Sequence, residues 1–182
     1  MNTPNKLTIM RIILVPVLLL VIYLMPEGWT ASIVSATLFI LISLTDMLDG
    51  KIARKTNQIT DFGKFLDPLA DKILVDSVLI AFISKGYISS VAVIIVILRE
   101  FTVTSLRLIA AGNNIVIAAS YFGKIKTVLQ MITIILLMFR PEISALTSFP
   151  ICDIIIWIMA AVTVLSGADY VIKNFNVIDY RK

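Results

Sequence analysis

The chain has 182 residues, 59% of them hydrophobic and 15% charged, a mean hydropathy of +0.98 and a formal net charge of +4. That balance excludes an ordinary water-soluble domain and identifies an all-α integral membrane protein. With no histidine and one cysteine, Cys152, there is no intramolecular disulfide, no cysteine-based metal cluster and no imidazole base, so any chemistry falls to carboxylates, lysines, arginines or hydroxyls.

Thr3-Pro4 supplies an N-cap and a proline at the first helical position. The amphipathic stretch NKLTIMR is therefore expected to form a short N-terminal interfacial helix that leads into the first span, with Pro16 placed to kink it. Apolar runs recur at 12–25, 29–44, 73–83, 88–98, 125–139 and 151–165. Each reaches the ~20 residues that a bilayer requires once its flanks are included, which predicts six transmembrane helices in a single domain, 1–182. None of the runs alternates as a barrel strand would. The turn Pro26-Glu27-Gly28-Trp29 follows the first run with no small-residue cleavage pattern before it, so that run is read as a membrane helix and not as a signal peptide. The second span should continue past its apolar part to Asp46, Asp49 and Arg54, the polar KTNQITDFG should turn the chain, and the third helix should begin near Gly63. SKGYIS, AAGNN and RPEISALTSFP are read as connections, and KNFNVIDYRK as a polar tail.

With the N-terminus cytoplasmic, all of the 16 basic residues fall on that side except Lys85, Arg140 and the intraspan Arg99. This bias orients both termini to the cytoplasm. It also accounts for the net positive charge without nucleic acid as a partner.

Asp46 and Asp49 stand three residues apart and Asp67 and Asp71 four apart, so each pair shares a helix face near one interface. A single interfacial acid would merely mark a helix end. Four acids at such spacing repel one another unless cations compensate them, and oxygen donors without His or Cys select a hard ion, Mg²⁺ or Mn²⁺. Gly50 and Ala53 leave the adjoining helix surface bare, which suits close approach of a ligand and equally suits helix packing.

This stretch resembles the CDP-alcohol phosphatidyltransferase signature, D-x-x-D-G-x-x-A-R followed by G-x-x-x-D-x-x-x-D, and matches it at Asp46, Asp49, Gly50, Ala53, Arg54, Gly63, Asp67 and Asp71. The resemblance implies direct attack of an alcohol on the lipid-side phosphorus of a CDP-linked lipid, with release of CMP and no covalent enzyme intermediate. By the same resemblance Asp46, Asp49, Asp67 and Asp71 hold two metal ions, and Asp71 is also the base. Gly50, Ala53, Arg54, Thr60 and Gly63, with Asn5 and Thr8 of the N-terminal PNKLT, fall where relatives hold the CDP-lipid. Arg54 also suits a snorkelling anchor. The resemblance further implies a homodimer in the bacterial plasma membrane, among membrane lipids, with its active site open to the cytoplasm.

The signature says little about the acceptor. Arg99 and Glu100 are charges inside a span, where charge is costly and tends to be functional; mutual pairing as structure accounts for Glu100 equally well. Arg107, Lys124 and Lys126 are expected to form a cationic pocket for a phosphate-bearing acceptor, although positive-inside flanking would also place them there. Their stretches, REFTVTSLR and GKIKT, look like those of family members that join CDP-diacylglycerol to sn-glycerol 3-phosphate. Inositol phosphate is the alternative acceptor that basic residues alone leave open, with inositol and serine behind it. A cation transporter, the reading from another class, would place its acids at mid-membrane in two related halves, and no repeat is visible here.

Overall fold

The computed structural model describes residues 3–55, 61–112, 115, 117 and 120–175, and for 3–7, 46–55 and 61–68 only the backbone path. The described residues form seven helices and no strand: α1 Thr3–Leu24, α2 Trp29–Lys55, α3 Asp61–Ser84, α4 Ser90–Gly112, α5 Tyr121–Met138, α6 Arg140–Leu146 and α7 Ile151–Lys173. Six of these coincide with the six apolar runs. Two departures are informative. NKLTIMR is not a separate interfacial helix but the opening turns of α1, which runs unbroken through Pro16. RPEISALTSFP contains the short helix α6, with proline in its first turn, where the missing N–H breaks no intrahelical bond.

The helices divide into two compact units, Met1–Tyr87 with Leu137–Ser148, and Ile88–Leu136 with Phe149–Lys182. In the first, α1 packs along both α2 and α3. Its buried seam is Thr8, Arg11, Val15, Leu18 and Ile22, a 3-4-3-4 spacing that keeps one stripe facing its neighbours. Phe39 and Ile42 of α2 and Leu74, Val78, Leu79 and Phe82 of α3 complete this core. In the second unit α4 packs along α7, which buries Cys152, Ile156, Met159, Ala160, Thr163, Ser166 and Tyr170 at helical spacing.

Large apolar side chains cover much of the outside, among them Leu20, Leu41, Leu98, Phe101, Trp157 and Leu165. Such a surface suits hydrocarbon and would aggregate in water. Helices α5 and α7 are long and apolar enough to cross a membrane, and α1 and α2 carry shorter apolar stretches, Thr8–Leu24 and Trp29–Thr45.

The end of α3 shows how the chain stops a helix there. Gly86 adopts φ +71°, its N–H bonds Ile83 O at 2.9 Å, and the Tyr87 N–H bonds Phe82 O at 2.8 Å. This is a Schellman closure, and the rings of Phe82 and Tyr87, 5.9 Å apart, supply its hydrophobic contact. Tyr87 also donates to Glu27 Oε1 at 2.8 Å, while Arg140 Nη1 donates to Tyr87 O at 2.8 Å. In α6, Glu142 is buried and accepts from Ser32 Oγ at 2.9 Å, which ties α6 to α2.

Burial first, then the bond to Glu27 and the neighbouring carboxylates, push the Tyr87 phenol above its ordinary range. Above that range the unfolded chain has released this proton and the native state has not, so stability falls as pH rises. Tyr87→Phe should flatten that alkaline decline, measured as thermal unfolding in detergent across alkaline pH. Gly86→Ala forces a side chain into left-handed backbone and should cost about 1–2 kcal/mol by the same assay; an unchanged midpoint would show that the loop relaxes freely.

Candidate functional site

The signature residues lie on two helices of the first unit. Asp46, Asp49, Gly50, Ala53 and Arg54 occupy the last turns of α2, and Gly63, Asp67 and Asp71 the first turns of α3. Helical backbone through both stretches keeps the i,i+3 and i,i+4 spacings on single faces. Asp71 is exposed beside the fully buried Ala70, so the core fixes its helix while its carboxyl faces outward. The side chains of Asp46, Asp49 and Asp67 lie outside the described residues, as do Thr60 altogether and the side chains of Asn5, Ala53 and Arg54. No cluster of metal-ligating side chains occurs among the described residues.

Thr8 is fully buried on α1, on the face packed against the helices that carry the signature. One turn on, Arg11 is also buried, and its Nε donates to Thr45 Oγ1 at 3.4 Å, next to Asp46 in sequence. Thr45 in turn donates to Ile42 O at 2.6 Å. The sequence reading counted Arg11 among the flanking positive charges. Its three-residue spacing from Thr8, in phase with Val15 and Leu18, was the available signal that it faces inward.

The basic residues lie in the second unit and are organised around Glu100. This α4 carboxylate pairs with Arg99 Nη1 at 3.2 Å and forms a short ion pair with Lys126 Nζ of α5. Lys126, only 2% exposed, also bonds Gln130 Oε1 one turn along α5. Arg99 Nη2 donates to Ser166 Oγ of α7 at 2.7 Å. Arg99 thus bridges α4 and α7, and Glu100 bridges α4 and α5. One glycine makes room for the arginine: a Cβ at Gly167 would stand 3.0 Å from Arg99 Cγ.

Arg107, two turns after Glu100 on α4, donates through Nε to the Tyr170 hydroxyl at 3.0 Å, with its guanidinium 5.5 Å from the ring centroid. Tyr170 packs with Val103 and Leu106 in a small buried cluster. Lys124 is exposed on another side of α5 from Lys126. Of the three expected acceptor-binding cations, Lys126 is therefore held inside the unit, Arg107 is docked on Tyr170, and Lys124 is exposed. Gln130 and Ser166, which complete this network, were missed from the sequence because neither carries charge.

A helix pair bearing four spaced acids in a wholly helical, apolar-surfaced chain defines the class: a membrane protein carrying an acidic signature on two helices. The chain belongs to the CDP-alcohol phosphatidyltransferase family, whose model matches residues 1–165. It is 43% identical to a Bacillus subtilis protein named CDP-diacylglycerol--glycerol-3-phosphate 3-phosphatidyltransferase, over 97% of each chain. Proteins of the same name from Rickettsia felis and Salmonella choleraesuis are 38% identical over 93% of each chain, and 40% identical over 78% of this chain and 79% of theirs.

Gly167→Ala should lower thermal stability by about 1 kcal/mol or more, because Arg99 is held at both ends and its stem has little room to yield. Unfolding at the wild-type midpoint would show that the arginine shifts without cost.

Proposed function

We propose that the chain transfers the phosphatidyl group of CDP-diacylglycerol to sn-glycerol 3-phosphate, giving phosphatidylglycerophosphate and CMP. One observation carries this reading: the complete eight-position signature, set on α2 and α3, in a chain that aligns end to end with a relative named for that activity. The whole chain acts as one catalytic domain. It crosses the bilayer six times with both termini and the active site cytoplasmic, and works as a homodimer. The inside-positive count and six long helices support that topology.

The donor half of the site is assigned to α2 and α3. Asp46, Asp49, Asp67 and Asp71 form an all-oxygen donor set at helical spacing, suited to two Mg²⁺ or Mn²⁺ ions. Bound there, such ions supply compensation for negative charge developing on the diphosphate. Gly50 and Ala53 allow close approach, and Arg54, Thr60, Gly63, Asn5 and Thr8 contact the CDP-lipid. Arg107, Lys124 and Lys126 are assigned to binding the phosphate of glycerol 3-phosphate, one of whose two hydroxyls is the nucleophile. Asp71, exposed and carboxylate-bearing, takes the proton from that hydroxyl. The new bond joins the acceptor oxygen to the lipid-side phosphorus, the bond from that phosphorus to CMP breaks, and CMP leaves with the electron pair.

The test is purified protein in detergent with CDP-diacylglycerol and Mg²⁺ or Mn²⁺, followed by CMP release with glycerol 3-phosphate, inositol 1-phosphate, inositol or serine. Release is expected with glycerol 3-phosphate, and Asp71→Asn should lower it by about a hundredfold or more while the protein still assembles. Wild-type turnover in that variant would refute the assignment of the base.

A further inference from the structure

We infer that Glu100 is a positioning residue for the acceptor: it clamps the Lys126 ammonium in a fixed place before a phosphorylated alcohol arrives, and yields that ammonium in part to the phosphate. The inference rests on the proposed reading that Lys126 binds the acceptor phosphate.

A lysine binds phosphate as a point charge, and fixing it there has an entropic cost. Its four-carbon stem carries ~2 kcal/mol of rotamer entropy, and its ammonium has no directional preference. Here the ammonium is reached from two helices, by Glu100 on α4 and by Gln130 one turn along α5, and the side chain is 2% exposed. The clamp is itself anchored. Arg99 holds Glu100 through Nη1 and binds Ser166 of α7 through Nη2, so all three helices of the unit fix one carboxylate. Glu100 serves both Arg99 and Lys126, so the interaction it offers Lys126 is shared. A phosphate monoester, carrying a charge of about −1.5 to −2, can compete for that ammonium; a neutral polyol cannot. Glu100 therefore both pre-orders Lys126 and sets the charge that an acceptor must bring. Such preorganisation acts on acceptor binding and leaves the donor untouched.

The experiment measures kcat and both KM values for wild type, Glu100→Ala, Glu100→Gln, Lys126→Met and the double variant Glu100→Ala/Lys126→Met, in detergent with saturating Mg²⁺ or Mn²⁺. Glu100→Ala is expected to raise KM for glycerol 3-phosphate about tenfold, with KM for CDP-diacylglycerol within about twofold of wild type. Glu100→Gln, whose amide oxygen still accepts from Lys126, should show a smaller rise in the same constant. In the Lys126→Met background Glu100→Ala should add little, because the residue works through Lys126. Should Glu100→Ala not fold, the Gln variant decides by the same split between the two KM values. An unchanged KM for glycerol 3-phosphate, an equal rise in both KM values, or full additivity with Lys126→Met would overturn the inference. Failure of the functional reading is separate and visible in the wild type: CMP release that does not depend on glycerol 3-phosphate removes that reading, and the inference with it.

Discussion

Charge inside an apolar helical bundle has to be met by charge or by hydrogen bonds, and the rest of this structure is arranged around that requirement. Leaving one member of a buried pair alone costs several kcal/mol, and among the described residues the buried charged side chains Arg11, Lys126 and Glu142 each have a partner on a different helix. Arg11 of α1 reaches Thr45 of α2, Glu142 of α6 takes the hydroxyl of Ser32, and Lys126 of α5 meets Glu100 of α4. Every such pair is also a tie between elements. Hydrophobic burial sets which stripe of each helix faces inward; the polar pairs restrict how far one helix can slide or rotate against the next.

In the second unit this requirement converges on two consecutive residues. Neighbouring positions on an α-helix point about 100° apart, so one step along α4 can serve two partner helices. Arg99 extends to Ser166 on α7, Glu100 to Lys126 on α5, and the pair is closed by the contact between them. The absence of a side chain at Gly167 belongs to the same device, since a methyl group there would crowd the arginine stem. A reason for REF in the middle of an otherwise apolar helix is therefore local: α4 is the element from which both other helices are fixed.

Much of this was legible in the sequence, and the division has a physical basis. Helix positions followed from apolar runs and their breakers, because length and hydropathy determine them locally: Gly86 ends α3, and α2 does run on through Arg54. The signature was legible because i,i+3 and i,i+4 spacing is a property of one helix face. What resisted reading was whatever depends on a partner distant in sequence. Arg11 looked like a flanking charge because burial of an arginine is decided by the opposing hydroxyl, 34 residues away. α6 was hidden in a connection because it is short, and Glu142 is tied to a serine 110 residues distant. Lys126 was expected to face an acceptor phosphate, and its enclosure by Glu100 and Gln130 could be anticipated only in part: Gln130 is one turn on, whereas Glu100 requires knowing that α4 and α5 meet.

The residues proposed for the donor lie in the first unit and those proposed for the acceptor phosphate in the second, and on the proposed reaction each set suits what its phosphate must do. The diphosphate of the donor loses a bond, so negative charge grows on its leaving group as the reaction proceeds. Asp46, Asp49, Asp67 and Asp71 would hold divalent ions that compensate that growth, which is why the proposed reaction assigns acids to the helices that carry the donor signature. The acceptor's phosphate gains and loses no bond. It needs only to be held so that the hydroxyl at the far end of the molecule points at phosphorus, for which fixed organic cations suffice and a mobile one would not. On that reading Lys126, whose freedom is removed in advance by Glu100 and Gln130, would meet the need. Acids that would gather ions for the chemistry, and a lysine pre-ordered by a carboxylate for orientation, would then be two solutions to placing phosphate groups in a chain without histidine.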